Sequence, residues 1–145
     1  MIFRLAGPLL IVLFTWLPQT GAQETGSVPA PDRQAIIAVI QSQLNAFQRS
    51  DHAEAFSYAS PQLRQQFQGP ENFIAMVNAG YMAVYRPQST TFLEARAKAQ
   101  LIAQAVHFVG PDGAGVIAIY SMQRQPDGSW RIAAVHLVPA KDLAS

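Results

Sequence analysis

The sequence predicts an α+β domain, with helices from the first half of the chain packed on an antiparallel sheet from the second half. Apolar residues recur at helical spacing in the first half and alternate with a period of two from Thr90 to Val138. Two tight turns of similar composition, Gly110-Pro111-Asp112-Gly113 and Gln125-Pro126-Asp127-Gly128, join the later strands into hairpins. Helices followed by a run of strands are typical of this class.

Length and composition limit the chain to one domain and remove several functional classes. The chain has 145 residues, which is room for a single domain. It has no cysteine, so neither a disulfide framework nor a cysteine-based metal site can form. The formal net charge is +1 and only 13% of residues are charged, which argues against a surface for nucleic acids or other polyanions.

The N-terminus has the three parts of a secretory signal peptide. Arg4 supplies a positive charge, Leu9 to Leu17 form an apolar run, and small or polar residues follow. The apolar run is shorter than the ~20 residues that a membrane-spanning helix needs. We expect removal of residues 1–22 and export to a bacterial periplasm, with no membrane attachment of the mature chain. Residues 23–31 are then a flexible leader, and residues 32–140 form the domain.

Helix start signals divide the first half of the chain. Asp32 and Asp51 are expected N-caps of the first two helices. Ser60, followed by proline, starts a third helix, and Pro70 opens a fourth. We expect the segment from Ala83 to Ser89 to be extended and at a sheet edge, because it contains a proline.

Counting outward from the two turns predicts the strand register. Phe108 then pairs with Val116 across the first turn, and Arg124 pairs with Trp130 across the second. In this register the bulky side chains face the helices, with three polar groups among them. The bulky residues are Val106, Phe108, Met122, Trp130, Ile132 and Val138, and the polar residues are Gln104, Tyr120 and His136.

The opposite sheet face carries small and β-branched side chains, and no further element of the chain remains to cover it. A second sheet packs well on such a surface, and large exposed apolar patches are uncommon on soluble monomers. We therefore expect a homodimer through this face. The predicted contact residues are Ala103, Ala105, Ile117, Ile119, Val135 and Leu137.

A longer pattern runs through most of the chain after the leader. It includes Leu44-Asn45-Ala46-Phe47, Tyr58-Ala59-Ser60-Pro61 and Asp127-Gly128-Ser129-Trp130-Arg131-Ile132, with His136 six residues after the tryptophan. The chain thereby resembles an uncharacterised bacterial family in the nuclear-transport-factor-two-like superfamily, which includes SnoaL-like and ketosteroid-isomerase-like domains. The resemblance implies a curved sheet wrapped by helices into a cone with a pocket, as in cystatin-like folds, and commonly a dimer. It implies no activity.

Ketosteroid-isomerase-like members use a carboxylate in the pocket as a base. Here helix starts, turns and the chain ends explain every acidic residue except Glu94, which lies on a strand edge. His136 is the candidate catalytic residue, because imidazole can act as a base near neutral pH. Alternatively, His136 is a core histidine paired with Tyr120, Gln104 or a buried water. The predicted ligand-binding residues are Tyr58, Tyr81, Gln104, Tyr120, Met122 and His136.

No metal site or cofactor is expected. His107 and His136 fall on opposite sheet faces in the predicted register, and His52 lies at a helix start, so the histidines cannot converge on a metal. The glycines around the turn at Gly110 lack the spacing of a phosphate-binding loop.

Two functions remain open. The first is a non-catalytic module for small-ligand binding or assembly, whose cone admits a small apolar ligand or is filled by its own side chains. The second is a small isomerase, dehydratase or cyclase that uses His136 with Tyr120 or Tyr58. The sequence favours the first, because no carboxylate is expected inside the cone.

Overall fold

The structure is a computed structural model that describes residues 26–142, so the predicted signal peptide lies outside the described residues. The helices are α1 (Ala30–Gln48), α2 (His52–Ser57), α3 (Pro61–Phe67), α4 (Pro70–Gly80) and α5 (Met82–Tyr85). The strands are β1 (Gly26–Ser27), β2 (Ser89–Lys98), β3 (Leu101–Val109), β4 (Gly115–Arg124) and β5 (Trp130–Pro139), followed by a 3-10 turn (Ala140–Asp142). Within residues 26–142, no helix has the length and apolar character needed to cross a membrane.

The strands form one antiparallel sheet in the order β1-β2-β3-β4-β5, and this sheet does not close into a barrel. The helices pack against one face of it and bury the bulky side chains of β3 and β4, including Val106, Phe108 and Tyr120. The predicted α+β class, with helices on an antiparallel sheet in a cone-like arrangement, is therefore confirmed.

Local signals placed most of the helix starts correctly. The Asp51 carboxylate accepts a hydrogen bond from the Glu54 amide at 3.2 Å, and the Ser60 hydroxyl accepts one from the Leu63 amide at 3.2 Å. The first helix starts at Ala30 rather than after Asp32, because Pro31 fits the first turn and no side chain caps it. Asp32 instead pairs with Arg124 at 2.5 Å.

Two segments differ from the sequence expectation. Met82–Tyr85, at the start of the segment expected to be extended, forms a short helix, and β2 follows at Ser89. Gly26–Ser27, inside the expected leader, pairs with Arg96 and Ala97 at the edge of the sheet. A strand of two residues at a sheet edge pairs through its backbone, so the side-chain pattern of the sequence gives little indication of it.

The register across the first hairpin is confirmed along its whole length, from Val109 opposite Gly115 to Leu101 opposite Gln123. The glycines at the ends of both turns have positive φ, 82° at Gly113 and 88° at Gly128, as these turns require.

The register across the second hairpin is correct only near its turn. Met122 pairs with Ile132 as expected, but the next residue, Ser121, pairs with Ala134. Ala133 is therefore an extra residue, a β-bulge, and every side chain beyond it faces the side opposite to the prediction.

The bulge corrects the faces assigned to the end of β5. His136 pairs with Ile119 on the outer face and is exposed, and Val138 pairs with Ile117 on that same face. Val135 and Leu137 instead turn inward and pack against the core. The predicted inner position of His136 and Val138 is wrong, as is the predicted outer position of Val135 and Leu137.

Candidate functional site

A cavity of about 230 Å³ lies between the helices and the inner face of β4 and β5. Its wall is mostly aliphatic and aromatic. The lining residues are Gln43, Phe47, Ala59, Leu63, Phe67, Phe73, Met76, Val77, Tyr81, Val84, Tyr120, Ile132, Ala134 and Val135.

The linker between α2 and α3 attaches this helical layer to the sheet. The Ser60 amide donates to the Ile132 carbonyl at 2.8 Å, and the Ile132 amide donates to the Tyr58 carbonyl at 2.9 Å. Ala59 thereby forms a parallel bridge with Ile132 at the free edge of β5. This attachment holds Ala59 against the cavity. It also places α3 over the cavity.

Phe73 is the centre of an aromatic cluster beside the cavity. Its ring centroid lies 6.1 Å from that of Phe47, 5.5 Å from that of Phe56 and 5.6 Å from that of Phe67. These separations are typical of favourable aromatic pairs. The cluster joins α1, α2, α3 and α4 into one packed wall.

The deep wall and the rim of the cavity differ in exposure. Phe47, Phe73, Val77 and Ile132 are buried, whereas Leu63, Phe67 and Met76 are only half-buried. Helix α3 has no fully buried side chain. The partly exposed rim therefore lies between α3 and α4.

Tyr120 contributes a hydroxyl group that has no hydrogen-bond partner among the described residues. Its side chain extends from the middle of β4 into the wall, and its exposed fraction is 0%. Burial raises the pKa of this phenol far above its usual value. Tyr120 therefore remains protonated at physiological pH, and its hydroxyl lies inside the packed wall rather than at the cavity surface.

Gln43 is the second polar group of the deep wall and is 4% exposed. Its Nε2 donates to the Ala55 carbonyl at 3.1 Å, which fixes the orientation of the amide. The Oε1 atom accepts no hydrogen bond from any residue in 26–142. Gln43 can therefore offer an acceptor to a molecule in the cavity.

Tyr81 also lines the cavity, and its hydroxyl is already paired. It donates to the Val135 carbonyl at 3.2 Å. This hydrogen bond ties the end of α4 to β5 beyond the bulge. Tyr81 therefore contributes mainly its ring to the wall.

Of the six residues expected to bind a ligand, the structure brings two together in the cavity wall, Tyr81 and Tyr120. Tyr58 lies outside that wall and donates to the Glu54 carboxylate at 3.0 Å. Partial burial and this hydrogen bond raise the pKa of Tyr58. Met122 is buried in the core but is not part of the wall, and His136 lies on the outer sheet face.

The buried position of the polar Gln104 side chain has a structural explanation. It lies opposite a bulge in β2, where Phe92 pairs with Val106 and Ala95 pairs with Gln104. Its Nε2 donates to the Leu93 carbonyl at 2.9 Å and to the Ala105 carbonyl at 2.9 Å. The side chain thus satisfies a backbone group that the bulge removes from the ladder.

Sequence reasoning missed Gln43, although a signal was available. Ile36, Ile40, Leu44 and Phe47 form the apolar stripe of α1, and Gln43 lies on that same side. A polar side chain on a buried stripe needs a partner, so it indicates either a buried hydrogen bond or a site.

Acidic, basic and histidine side chains lie elsewhere in the described part of the chain. No charged residue lines the cavity within residues 26–142. Glu94 is exposed and pairs with Arg96 at 3.1 Å. The same residues contain no cluster of three histidine or acidic side chains that could hold a metal.

Fold and cavity together define a small α+β domain with an apolar, uncharged interior site. The chain belongs to the family described as "Domain of unknown function (DUF4864)", whose model matches residues 29–145. The expected membership of a family without assigned function is thereby confirmed. No curated protein and no solved structure matches the chain.

Proposed function

We propose that this chain is an exported, non-catalytic module that binds one small, mostly apolar ligand in the cavity between α3, α4 and β5. The observation that carries the proposal is the cavity itself, about 230 Å³ with an almost wholly apolar wall. Binding sites for small molecules typically combine such a wall with a few polar groups. Gln43 supplies such a polar group here.

The cavity volume favours a site over a gap in the packing. Protein interiors are close-packed, and an engineered cavity of about 150 Å³ already binds benzene. The cavity here is larger than that, and its rim at Leu63 and Met76 is partly exposed. A ligand could therefore enter between α3 and α4 without unfolding the sheet.

The position of His136 removes the main support for the enzymatic alternative. A general base must come within hydrogen-bond reach of its substrate. His136 extends from the outer face of β5, whereas the cavity lies on the inner face. The tyrosines left near the site, Tyr81 and Tyr120, are suited to hydrogen bonding and packing.

We also propose that this chain belongs to the nuclear-transport-factor-two-like superfamily. We propose further that it forms a homodimer. Helices on one face of a five-stranded antiparallel sheet agree with the cone expected for that superfamily. The outer face keeps Ala103, Ala105 and Ile119 from the expected contact surface, and His136 and Val138 replace Val135 and Leu137. Ile117 lies on the same face but is already buried within one copy. A second copy would cover this flat face by sheet-on-sheet packing.

Titration with tetralin, a fused two-ring hydrocarbon, tests ligand binding. We expect saturable NMR shifts at Val77, Ile132 and other wall residues in the wild type. Ala59→Leu places a larger side chain in the cavity wall and should abolish these shifts. Ala75→Leu is the matched control, because Ala75 is exposed on α4 and does not line the cavity.

The proposal fails if tetralin causes no saturable change at the wall of the folded wild type. It also fails if Ala59→Leu and Ala75→Leu bind tetralin equally well. Val84→Phe fills the cavity from α5 and gives a second, independent variant if Ala59→Leu does not fold.

A further inference from the structure

We propose that a cleft beside the free edge of β5 binds the carboxylate group of a small organic monoanion between the guanidinium groups of Arg64 and Arg131. The cleft has a volume of about 360 Å³ and lies between the start of α3 and the turn from β4 to β5. It shares no lining residue with the apolar cavity, so this inference is independent of the proposed binding function.

The attachment of α3 to the sheet brings the two arginines to one cleft. The Ser60 amide donates to the carbonyl of Ile132, the residue after Arg131, at 2.8 Å. Arg64 follows one helical turn later, and its amide donates to the Ser60 carbonyl at 2.9 Å. The α3 backbone thus begins beside β5, and both guanidinium side chains line the space between them.

Arg64 is a half-buried cation without a hydrogen-bond partner among the described residues. Every other arginine in residues 26–142 donates at least one side-chain hydrogen bond. The Arg64 Nε atom is fully buried, so a ligand can reach only the two terminal nitrogens. A guanidinium group without an acceptor costs free energy, and a ligand oxygen would supply that acceptor.

The charges that line the cleft favour a ligand with a single negative charge. Neither Arg64 nor Arg131 forms an ion pair within residues 26–142. Asp127 also lines the cleft, and its Oδ1 accepts from the Ser129 hydroxyl at 2.6 Å and from the Ser129 amide at 2.9 Å. These hydrogen bonds, and to a smaller extent the charge of Arg131, lower the pKa of Asp127, so its carboxyl group is ionised at neutral pH. The described lining therefore has one positive charge in excess.

A carboxylate fits this lining better than a phosphate. The planar donors of a guanidinium group match the two oxygens of a carboxylate. A phosphate dianion would exceed the charge of the cleft and would be repelled by Asp127. The rings of Pro61 and Pro126 also line the cleft and offer an apolar surface to the body of the ligand.

NMR titrations with benzoate, benzamide and phenyl phosphate test this inference. In the wild type we expect benzoate to cause saturable shifts of the Gln125 and Ser129 amides. Benzamide has the same shape without the charge and should leave these amides unchanged. Arg64→Gln and Arg131→Gln should each weaken benzoate binding by at least about tenfold, because each removes charged hydrogen bonds to the carboxylate.

Arg96→Gln is the matched control. It removes the same charge from β2, where Arg96 is exposed and pairs with Glu94, and should leave benzoate binding unchanged. Shifts at Val77 and Ile132 report the apolar cavity instead, so the two sites are read separately in one titration.

The inference fails if benzoate causes no saturable shift at the cleft, and the apolar cavity is unaffected by that result. Equal weakening by Arg64→Gln and Arg96→Gln would overturn it too, since binding would then follow net charge alone. Tighter binding of phenyl phosphate than of benzoate would overturn the carboxylate class. If Arg64→Gln does not fold, the comparison of Arg131→Gln with Arg96→Gln decides the question.

Discussion

At Tyr120 and Tyr81, two tyrosines in one cavity wall differ in how their hydroxyl groups are satisfied. The Tyr120 hydroxyl is buried without a partner among the described residues, whereas the Tyr81 hydroxyl donates to the Val135 carbonyl at 3.2 Å. Removing a hydroxyl group therefore has different consequences at the two positions, because only one of them loses a hydrogen bond.

We expect Tyr120→Phe to leave the free energy of unfolding unchanged or to raise it by up to about 1 kcal/mol, since it removes an unsatisfied buried group. Tyr81→Phe should lower the free energy of unfolding by about 1 kcal/mol, because it removes a hydrogen bond and leaves a carbonyl unpaired. Urea unfolding of the ligand-free protein measures both. A larger loss for Tyr120→Phe than for Tyr81→Phe would contradict the hydrogen-bond pattern described.

At the scale of single elements, β5 determines which side chains meet the cavity. Ala133 is the extra residue of its bulge, and the inward face changes from Trp130 and Ile132 to Val135 and Leu137 across it. The attachment of Ala59 to Ile132 lies just before the bulge, and the hydrogen bond from Tyr81 to Val135 lies just after it.

Single cysteines report the register of β5 directly, because the natural chain contains none. We expect His136→Cys to react rapidly with a thiol reagent in a chain that also carries Ile119→Arg, which keeps the outer face uncovered, and Leu137→Cys to react slowly in the same background. The reason is that His136 is exposed on the outer face and Leu137 packs against the core. The reverse order would restore the register counted from the turn and return His136 to the inner face.

The contrast between helix starts and the bulge shows what the sequence could predict. The caps at Asp51 and Ser60 depend on neighbouring residues only, so local patterns located them. The register of β5 depends on packing against the helices, and counting from the turn assumed a regular ladder. A signal was nevertheless present, since the bulky residues change parity between Ile132 and Val135.

The candidate site was predictable only in part for a related reason. Tyr120 in β4 and Tyr81 just after α4 lie in the cavity wall, and both follow from the periodic patterns of the elements that carry them. Gln43 was missed, and Tyr58, Gln104 and Met122 fall outside the wall, because the position of a cavity depends on how the helices sit on the sheet. No local pattern encodes that arrangement.

At the scale of the whole molecule, the two sheet faces have separate roles in our proposal. The inner face, with the helices, forms the cavity, and the outer face remains uncovered by helices α1 to α5. Ile119 lies near the middle of that outer face, between Ala105 and His136 in the ladder.

We expect Ile119→Arg to convert a homodimer into a monomer in sedimentation equilibrium, because it places a charge in an apolar sheet interface. Tetralin binding should be unaffected, since Ile119 does not line the cavity and lies on the opposite face of the sheet. Gln62→Arg, at an exposed position on α3, is the control and should remain dimeric. A wild-type protein that is monomeric at all concentrations tested would contradict the dimer.

The most direct measurement of the binding cavity is a crystal structure determined under xenon pressure, because xenon occupies apolar cavities without needing a hydrogen bond. We predict a xenon peak bounded by Phe73, Val77, Tyr120 and Ile132, with His136 on the opposite face of the sheet. A structure in which side chains fill this volume and xenon is absent from it would contradict the cavity and the binding function proposed for it.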